Sequence, residues 1–441
     1  MEKQLVCVAG KNNIAVDVLE YLVQHCDDRF ALCVICNKTE TGINTWQKSL
    51  RYFAKRHGIR ECCLEEIYGH PNLIFLSLEF DRIVKPELFC HARLYNIHFS
   101  LLPQYKGMYT AAMPILNGEK IVGVTLHKID RGIDTGDVIA QKSFELGEKT
   151  TSRDLYFLYI HYGTRLVLEH MEDMLSGNVD AVAQCSGNSS YYSRHSIDYS
   201  NLQIDLNQTA EGIDRQLRAY SFREYQLPYV RGKSIIAGSI TGIQSSEKPG
   251  TMLFEGAEGM MMATVDYNIC LYYDRLYELM SACADGNMDV VANICSVTEH
   301  INAAGKNGCT PLMMAVDRNH LDIVHYLLCM GADIRVRDCN GMTLLMYAQK
   351  TYLRTGDDTI FRLLQRMGLE EWEYDYDGHD LEYYWKQASF MESTKRYGRR
   401  KKDDVVQIKT IQGGGRKDSL IIELYFAAAQ PFMKQKERQV A

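Results

Sequence analysis

The sequence predicts an α/β protein in three parts: a mostly parallel sheet covered by helices, a small β-rich second lobe, and a run of paired α-helices. Three observations carry this. The first 180 or so residues alternate short apolar runs with longer helix-like stretches, the pattern of a parallel sheet with helices on its faces. The chain then turns polar over residues 186–200 (SGNSSYYSRHSIDYS), which marks a linker. Further on, Leu-Met-x-Ala recurs at Leu279, Leu312 and Leu345, a step of 33 residues. A fixed period of that length means stacked structural repeats.

In chain order, strand-like runs fall at 5–9, 31–36, 73–77, 93–98, 122–129 and 138–143, with helical stretches at 14–24, 45–57 and from 151 to about 175. Continuous apolar runs mean strands buried on both sides, so residues 1–185 form a Rossmann-like domain. Its ligands are expected beyond the carboxyl ends of the strands. Residues 186–274 hold the linker and the small lobe. A short helix there carries Ile213, Leu217 and Tyr220 on one face, and β segments follow at 234–242 and 261–273. Residues 275–370 hold the repeats. Thr310-Pro311-Leu312 and Gly331-Ala332-Asp333 fall at turn and hairpin positions, and 307–338 resembles the ankyrin consensus. An insertion is read at 352–356 in the third copy. Residues 371–441 read as a tail, first aromatic and acidic, then basic at 395–402, then glycine-rich at 413–415, with partial disorder expected.

Composition narrows the function. A net charge of -7 argues against a general nucleic-acid binder, and the basic run reads as a solvated tail. The first apolar run is too short for a signal-peptide core, and no stretch reaches the roughly 20 apolar residues of a membrane helix. The 14 cysteines lack a disulfide framework and imply reduced thiols in a cytoplasmic protein. Cys33-x-x-Cys36 and Cys62-Cys63 have no second correctly spaced pair, so they read as core cysteines and no metal is expected.

The chemistry concentrates in Asn96-Ile97-His98-Phe99-Ser100-Leu101-Leu102-Pro103, continuing to Tyr105-Lys106-Gly107. Asn96 and His98 are two apart at a strand end, so their side chains share a face. Asp134 follows within Asp130-Arg131-Gly132-Ile133-Asp134-Thr135-Gly136-Asp137, where the glycines allow a tight loop. These segments, with G-V-T-x-H between them, resemble the formyltransferases that use N10-formyltetrahydrofolate. The resemblance covers about residues 1–190, and Phe99 departs from the proline or glycine of many members.

The resemblance implies formyl transfer to an amine without a metal. Attack on the formyl carbon creates an oxyanion and releases a proton. His98 is then the general base and proton shuttle, Asn96 donates to the oxyanion, and Asp134 orients and polarises His98. Leu78, Glu79 and Phe80 resemble one wall of the folate pocket, and Asp130 and Ile133 the other, mainly through backbone. Lys11, Asn12, Tyr105, Lys106, Phe222 and Tyr225 are the expected substrate contacts.

Three acceptors compete. Methionyl-tRNA enzymes carry a larger basic C-terminal domain for the RNA, whereas here the overall charge is negative and the extra domain is ankyrin-like, so RNA is not expected. Glycinamide ribonucleotide enzymes usually stop after one domain. The stretch Tyr220-Ser221-Phe222-Arg223-Glu224-Tyr225-Gln226-Leu227-Pro228-Tyr229 resembles the sugar N-formyltransferases, some of which carry ankyrin repeats. The expected acceptor is therefore a dTDP-linked amino-dideoxyhexose, 3-amino-3,6-dideoxyglucose or a 4-amino relative, destined for surface polysaccharide such as O-antigen. A homodimer is expected. The repeats are expected to bind a protein, with a second nucleotide-sugar site near Arg335, Arg337 and the aromatics from Trp372 to Trp385 as the alternative. An ankyrin interaction protein with a decayed catalytic domain is the competing class.

Overall fold

In the computed structural model, residues 3–185 and 187–387 are described. The basic run at 395–402 and the glycine run at 413–415 lie outside them.

The first strands are β1 (Gln4–Gly10), β2 (Phe30–Cys36), β3 (Arg60–Glu61), β4 (Leu73–Leu78) and β5 (Ala92–His98). After the short β6 (Lys106–Gly107) come β7 (Ile121–Lys128) and β8 (Val138–Glu145). The main sheet has the order β3-β2-β1-β4-β5-β7-β8. Pairing is parallel from β3 to β5, and β7 runs antiparallel to both its neighbours. Every residue of β4 is buried, which is why the central strands read as unbroken apolar runs.

On one face α1 (Asn12–His25) and α2 (Leu50–Arg56) pack through Ile14, Leu19, Leu22 and Leu50 against Val6, Val8, Ile74 and Ile97. The other face holds α3 (Leu64–Ile67), and the short α4 (Met113–Leu116) follows β6. The long α5 (Ser152–Glu169) starts on a capping box between Thr151 and Asp154, buries Leu155, Tyr159 and Val167 on the face that holds α1, and breaks at His170 before α6 (Met171–Ser176).

The helix expected at 45–57 begins only at Leu50. Ser49 caps it by accepting the Tyr52 N–H, while Asn44 Oδ1 accepts the Ser49 N–H at 2.9 Å. Trp46 and Gln47 are thereby freed from helical geometry.

Past β9 (Tyr191–Tyr192), which pairs with β6, α7 (Ala210–Tyr220) packs on an antiparallel sheet. Its strands are β10 (Tyr229–Val230), β11 (Lys233–Gln244), β12 (Met252–Glu255), β13 (Gly259–Met262) and β14 (Tyr267–Tyr273), ordered β10-β11-β14-β13-β12. Ile213 and Leu217 meet Ile235, Met260, Met262, Ile269 and Leu271 there.

Arg223 donates to Asp274 from both terminal guanidinium nitrogens, at 2.6 and 2.7 Å, and Asp274 also accepts the Leu276 N–H. That joint leads into three helix pairs: α8 (Leu276–Asp285) with α9 (Met288–Cys295), α10 (Pro311–Arg318) with α11 (Leu321–Cys329), and α12 (Leu344–Thr355) with α13 (Thr359–Arg366). Asn287, Thr310 and Thr343 cap α9, α10 and α12. The repeating Leu279, Leu312 and Leu345 and the alanines three positions on form one core. The third-copy insertion is extra length in α12, which ends at Gly356.

One boundary moves. Residues 371–387, read from sequence as the start of a tail, close the stack. Leu381 joins its core and its carbonyl accepts the Gln349 amide at 2.8 Å. Buried Asp375 accepts the Asp377 and His379 N–H groups and the Tyr384 hydroxyl. Tyr384 packs on the repeat core and Trp385 against Tyr352, while Trp372 and Tyr374 stay exposed; periodicity stops because a closing segment need not repeat. The same segment touches α2: Asp377 binds Tyr52 and Arg56, and the Lys48 ammonium lies 5.3 Å from the Tyr376 ring centre.

Candidate active site

The end of β5 and the neighbouring β7 build the polar centre. Register sets Asn96 opposite His127 and His98 opposite Thr125. The His127 Nδ1 lies 2.7 Å from the Lys128 carbonyl, an acceptor only, so Nδ1 carries the hydrogen. Nε2 is then free to accept from Asn96 Nδ2, at 3.0 Å. Burial pushes His127 below the ordinary imidazole range, while the Lys128 carbonyl and Asp134 act the other way. A neutral His127 thus holds one amide N–H of Asn96 and leaves the second for a ligand.

His98 is buried, and its Nε2 donates to the Tyr105 carbonyl at 2.8 Å. In the neutral ring Nδ1 then carries the lone pair, and it faces Asp134 Oδ1 at 3.5 Å. The same oxygen lies 3.8 Å from His127 Nε2, and Oδ2 accepts the Gly107 N–H at 2.9 Å. The orientation of the His98 ring thus comes from the Tyr105 carbonyl, and Asp134 lies on the Nδ1 side.

The Asp134 loop is tied down along its length. Asp130 Oδ1 accepts the Gly132 N–H at 3.0 Å and the Thr135 hydroxyl at 2.6 Å. Gln184 donates to the Asp134 and Gly136 carbonyls at 2.9 and 2.8 Å. A Cβ at Gly136 would sit 1.8 Å from the Lys128 oxygen, so only glycine allows this approach.

A second polar knot lies one strand over. Leu78 pairs with Ile97, so Glu79 follows β4 beside His98. Asn12 donates to Tyr156 Oη at 2.8 Å and to Glu79 at 3.3 Å, Tyr156 donates to Glu79 at 2.8 Å, and Gln47 donates to Tyr156 at 3.0 Å. Enclosure pushes the Glu79 carboxyl up, opposed by Lys11 and by the Tyr156 and Asn12 hydrogen bonds. An aromatic wall adjoins it: Trp46 meets Tyr156, Phe222 and Tyr225 with ring centres 5.5–6.0 Å apart.

These distances sort the expected contacts. Asn12, Glu79, Phe222 and Tyr225 come together, with Lys11 at their edge. The Tyr105 side chain turns away: its hydroxyl donates to Glu119 at 2.6 Å and its ring stacks on Tyr192. Its contribution is the carbonyl on His98, because a left-handed φ of 55° aims the backbone inward and the ring outward. Lys106 is half-buried, and its N–H pairs with the Ser190 carbonyl. Leu78 is buried, the Phe80 ring packs on Phe75 and under Arg82, and Ile133 is exposed. In the ankyrin region, Arg337 is committed to Glu373 and to the Gly341 and Tyr374 carbonyls. Its fork is not open to a diphosphate.

Comparison with known proteins decides the family. The profile described as Formyl transferase matches residues 69–168, and that described as Ankyrin repeats (3 copies) matches 279–372. The crystal structure of WlaRD, a sugar 3N-formyltransferase in the presence of dTDP and 5-N-formyl-THF, is 38% identical with TM-score 0.57; the match covers 62% of this chain and 98% of that one. The N-formyltransferase from Helicobacter canadensis, in complex with folinic acid and dTDP-3-aminofucose, is 40% identical with TM-score 0.56, over 62% of this chain and all of that one. The methionyl-tRNA formyltransferase of Fervidobacterium nodosum is 28% identical over 223 residues, 48% of this chain and 69% of its own length.

The chain belongs to the formyltransferase family.

It is a folate-dependent formyltransferase with an ankyrin-repeat region. Within its site, sequence reasoning passed over His127, Trp46, Gln47 and Tyr156. His127 had a signal: it ends the G-V-T-x-H run, on the strand that pairs with the one carrying Asn96 and His98. Trp46, Gln47 and Tyr156 had none, since Gln47 and Tyr156 lie 109 residues apart.

Proposed function

We propose that this formyltransferase moves the formyl group of N10-formyltetrahydrofolate to the amine of a dTDP-linked 3-amino-3,6-dideoxyhexose, for surface polysaccharide such as O-antigen. The observation that carries the chemistry is His98 Nδ1 facing Asp134 Oδ1 at 3.5 Å beside a half-engaged Asn96 amide. The sugar class is supported by two relatives at 38 and 40% identity that this chain covers almost completely, one of them bound to dTDP-3-aminofucose.

The proposed sequence starts with the unprotonated sugar amine attacking the formyl carbon. The free N–H of Asn96 takes the developing oxyanion. His98 Nδ1 accepts the ammonium proton, and Asp134 stabilises the imidazolium that results. His98 returns that proton to the folate nitrogen as the carbon–nitrogen bond to folate breaks. The products are a formamide on the sugar and tetrahydrofolate. Leu78, Glu79, Phe80 and the 130–133 loop are the proposed folate walls. Phe80 contributes backbone, because its ring is already packed. Trp46, Phe222 and Tyr225 offer flat faces to thymine, Lys11 a charge to the diphosphate, and Asn12 and Glu79 polar groups to the sugar. For the ankyrin stack we propose a protein partner on its extended surface.

The test is a set of initial rates with N10-formyltetrahydrofolate and four acceptors: a dTDP-3-amino sugar, a dTDP-4-amino sugar, methionyl-tRNA and glycinamide ribonucleotide. The highest kcat/KM is expected with the 3-amino sugar. Preference for methionyl-tRNA, or no transfer to any acceptor, would overturn the reading.

A further inference from the structure

Outside the active site, three cysteines meet at the edge of the main sheet. Cys7 lies on β1 and pairs in register with Cys33 on β2. Cys62 follows β3, and its N–H continues the ladder to the Val34 carbonyl at 2.9 Å. Their sulfurs all lie within 4.8 Å of one another. Neither neighbour pair read from sequence forms this group. Cys33 and Cys36 are three apart on a strand and face opposite sides, and Cys36 joins the core under α1 and α2. Cys63 points to solvent at the start of α3.

The surroundings define the chemistry. Cys7 and Cys33 are buried among Ala9, Ile35, Leu64, Ile67 and Phe75, while Cys62 is half-buried and gives access from solvent. Among the described residues, no histidine or carboxylate joins the three sulfurs. A hard cation therefore finds no oxygen ligands. Zinc in structural sites takes four ligands in a tetrahedron, and a fourth is missing. Three thiolates with no other donor match a soft monovalent d10 ion, of which copper(I) is the biological example.

We propose that Cys7, Cys33 and Cys62 form a three-coordinate thiolate site for copper(I). Binding replaces three S–H bonds by three S–Cu bonds and releases the three protons to solvent. No electron is transferred, because the metal enters already reduced. The bound ion ties together β1, β2 and the chain after β3, on the sheet face away from α1 and α5.

The experiment titrates the full-length reduced protein anaerobically with copper(I) against bathocuproine disulfonate. One equivalent per chain is expected to be held against the chelator, with a rise in Tm. Cys62→Ser, at a half-exposed position, is expected to lose that equivalent while keeping the circular dichroism of the folded protein. Cys63→Ser is the adjacent control and is expected to keep it. Cys33→Ser serves as a second variant if it folds. No copper held by the wild type would overturn the proposal, as would retention in Cys62→Ser or equal loss in Cys63→Ser. Zinc(II) run in parallel is expected to be removed by a chelator; tight retention of zinc instead of copper would also overturn the three-coordinate assignment.

Discussion

The sheet edge that carries Asn96 and His98 and the ankyrin stack use left-handed backbone in opposite ways. At the sheet edge, Asn12, Glu79, Tyr105 and Asp134 have φ of 65, 59, 55 and 53°. In the stack the same conformation falls on glycines such as Gly286, Gly331, Gly341 and Gly356, with Asn319 the exception among the described residues. Glycine adopts it freely, whereas a side-chain-bearing residue gives up roughly 1–2 kcal/mol. The stack turns its chain at the lowest cost. The sheet edge accepts the cost because each strained residue delivers something glycine lacks, or delivers it where a ring must point elsewhere. Strain of that kind collects at sites that do chemistry.

If the comparison holds, the two regions fail differently. The largest effect belongs to the sheet edge. His98→Asn should lower kcat by about 10²–10⁴-fold, with Tm nearly unchanged. Asp134→Asn should do similar damage, and the double variant should be little worse than either single one, because the pair acts as a unit. Additive losses would separate the two residues.

In the stack the loss should be of stability. Leu312 is almost fully buried in the repeat core, so Leu312→Ala should cost about 2–5 kcal/mol. Denaturant unfolding measures it, and the specific activity of the folded fraction should stay near wild type. A collapse of kcat in folded Leu312→Ala protein would mean that the stack helps to build the active site.

His127 sharpens the boundary within the site, since it is expected to position Asn96 without touching substrate. His127→Phe should lower kcat by about 10–100-fold, in line with the cost of small misplacements, and leave KM close to wild type. His127→Gln, which can still accept from Asn96, should recover part of the rate. A change confined to KM would place His127 against the substrate instead.

The smallest effect concerns pH and stability. The Glu79 carboxyl is raised in the folded chain, so the folded state keeps its proton to higher pH than the unfolded state. The cost of ionising it is absent below the ordinary value of 4.5 and grows as pH rises through the folded value. Glu79→Gln carries no such charge, so its Tm should improve relative to wild type as pH rises above the ordinary value of 4.5. A Tm difference independent of pH would show that the folded carboxyl is not raised.

What the sequence made legible follows from the range of the interactions. Fully buried strands such as Leu73–Leu78 announce themselves as apolar runs, and a 33-residue period survives because each repeat repacks the same core. Asn96 and His98 were visible because two residues on one strand end share a face whatever the fold. The Tyr105 carbonyl on His98 was invisible, since backbone acceptors have no side-chain signature. Trp46 and Gln47 were misread as helix because the Ser49 cap starts the helix after them and their side chains reach the distant Tyr156 instead. The closing segment 371–387 was misread as tail because its aromatic and acidic composition describes a lid and a linker equally well until Asp375 is seen buried beneath Tyr384.

The central claim is that the Asn96–His98–Asp134 centre formylates the amine of a dTDP-linked 3-amino sugar. Its most direct test is product analysis by mass spectrometry and NMR after incubating a dTDP-3-amino-3,6-dideoxyhexose and N10-formyltetrahydrofolate with wild type and, separately, with folded His98→Asn. A formamide at C3 with wild type, nearly absent with the variant, is the predicted result. Unmodified sugar with wild-type protein, or equal formamide with both proteins, would contradict it.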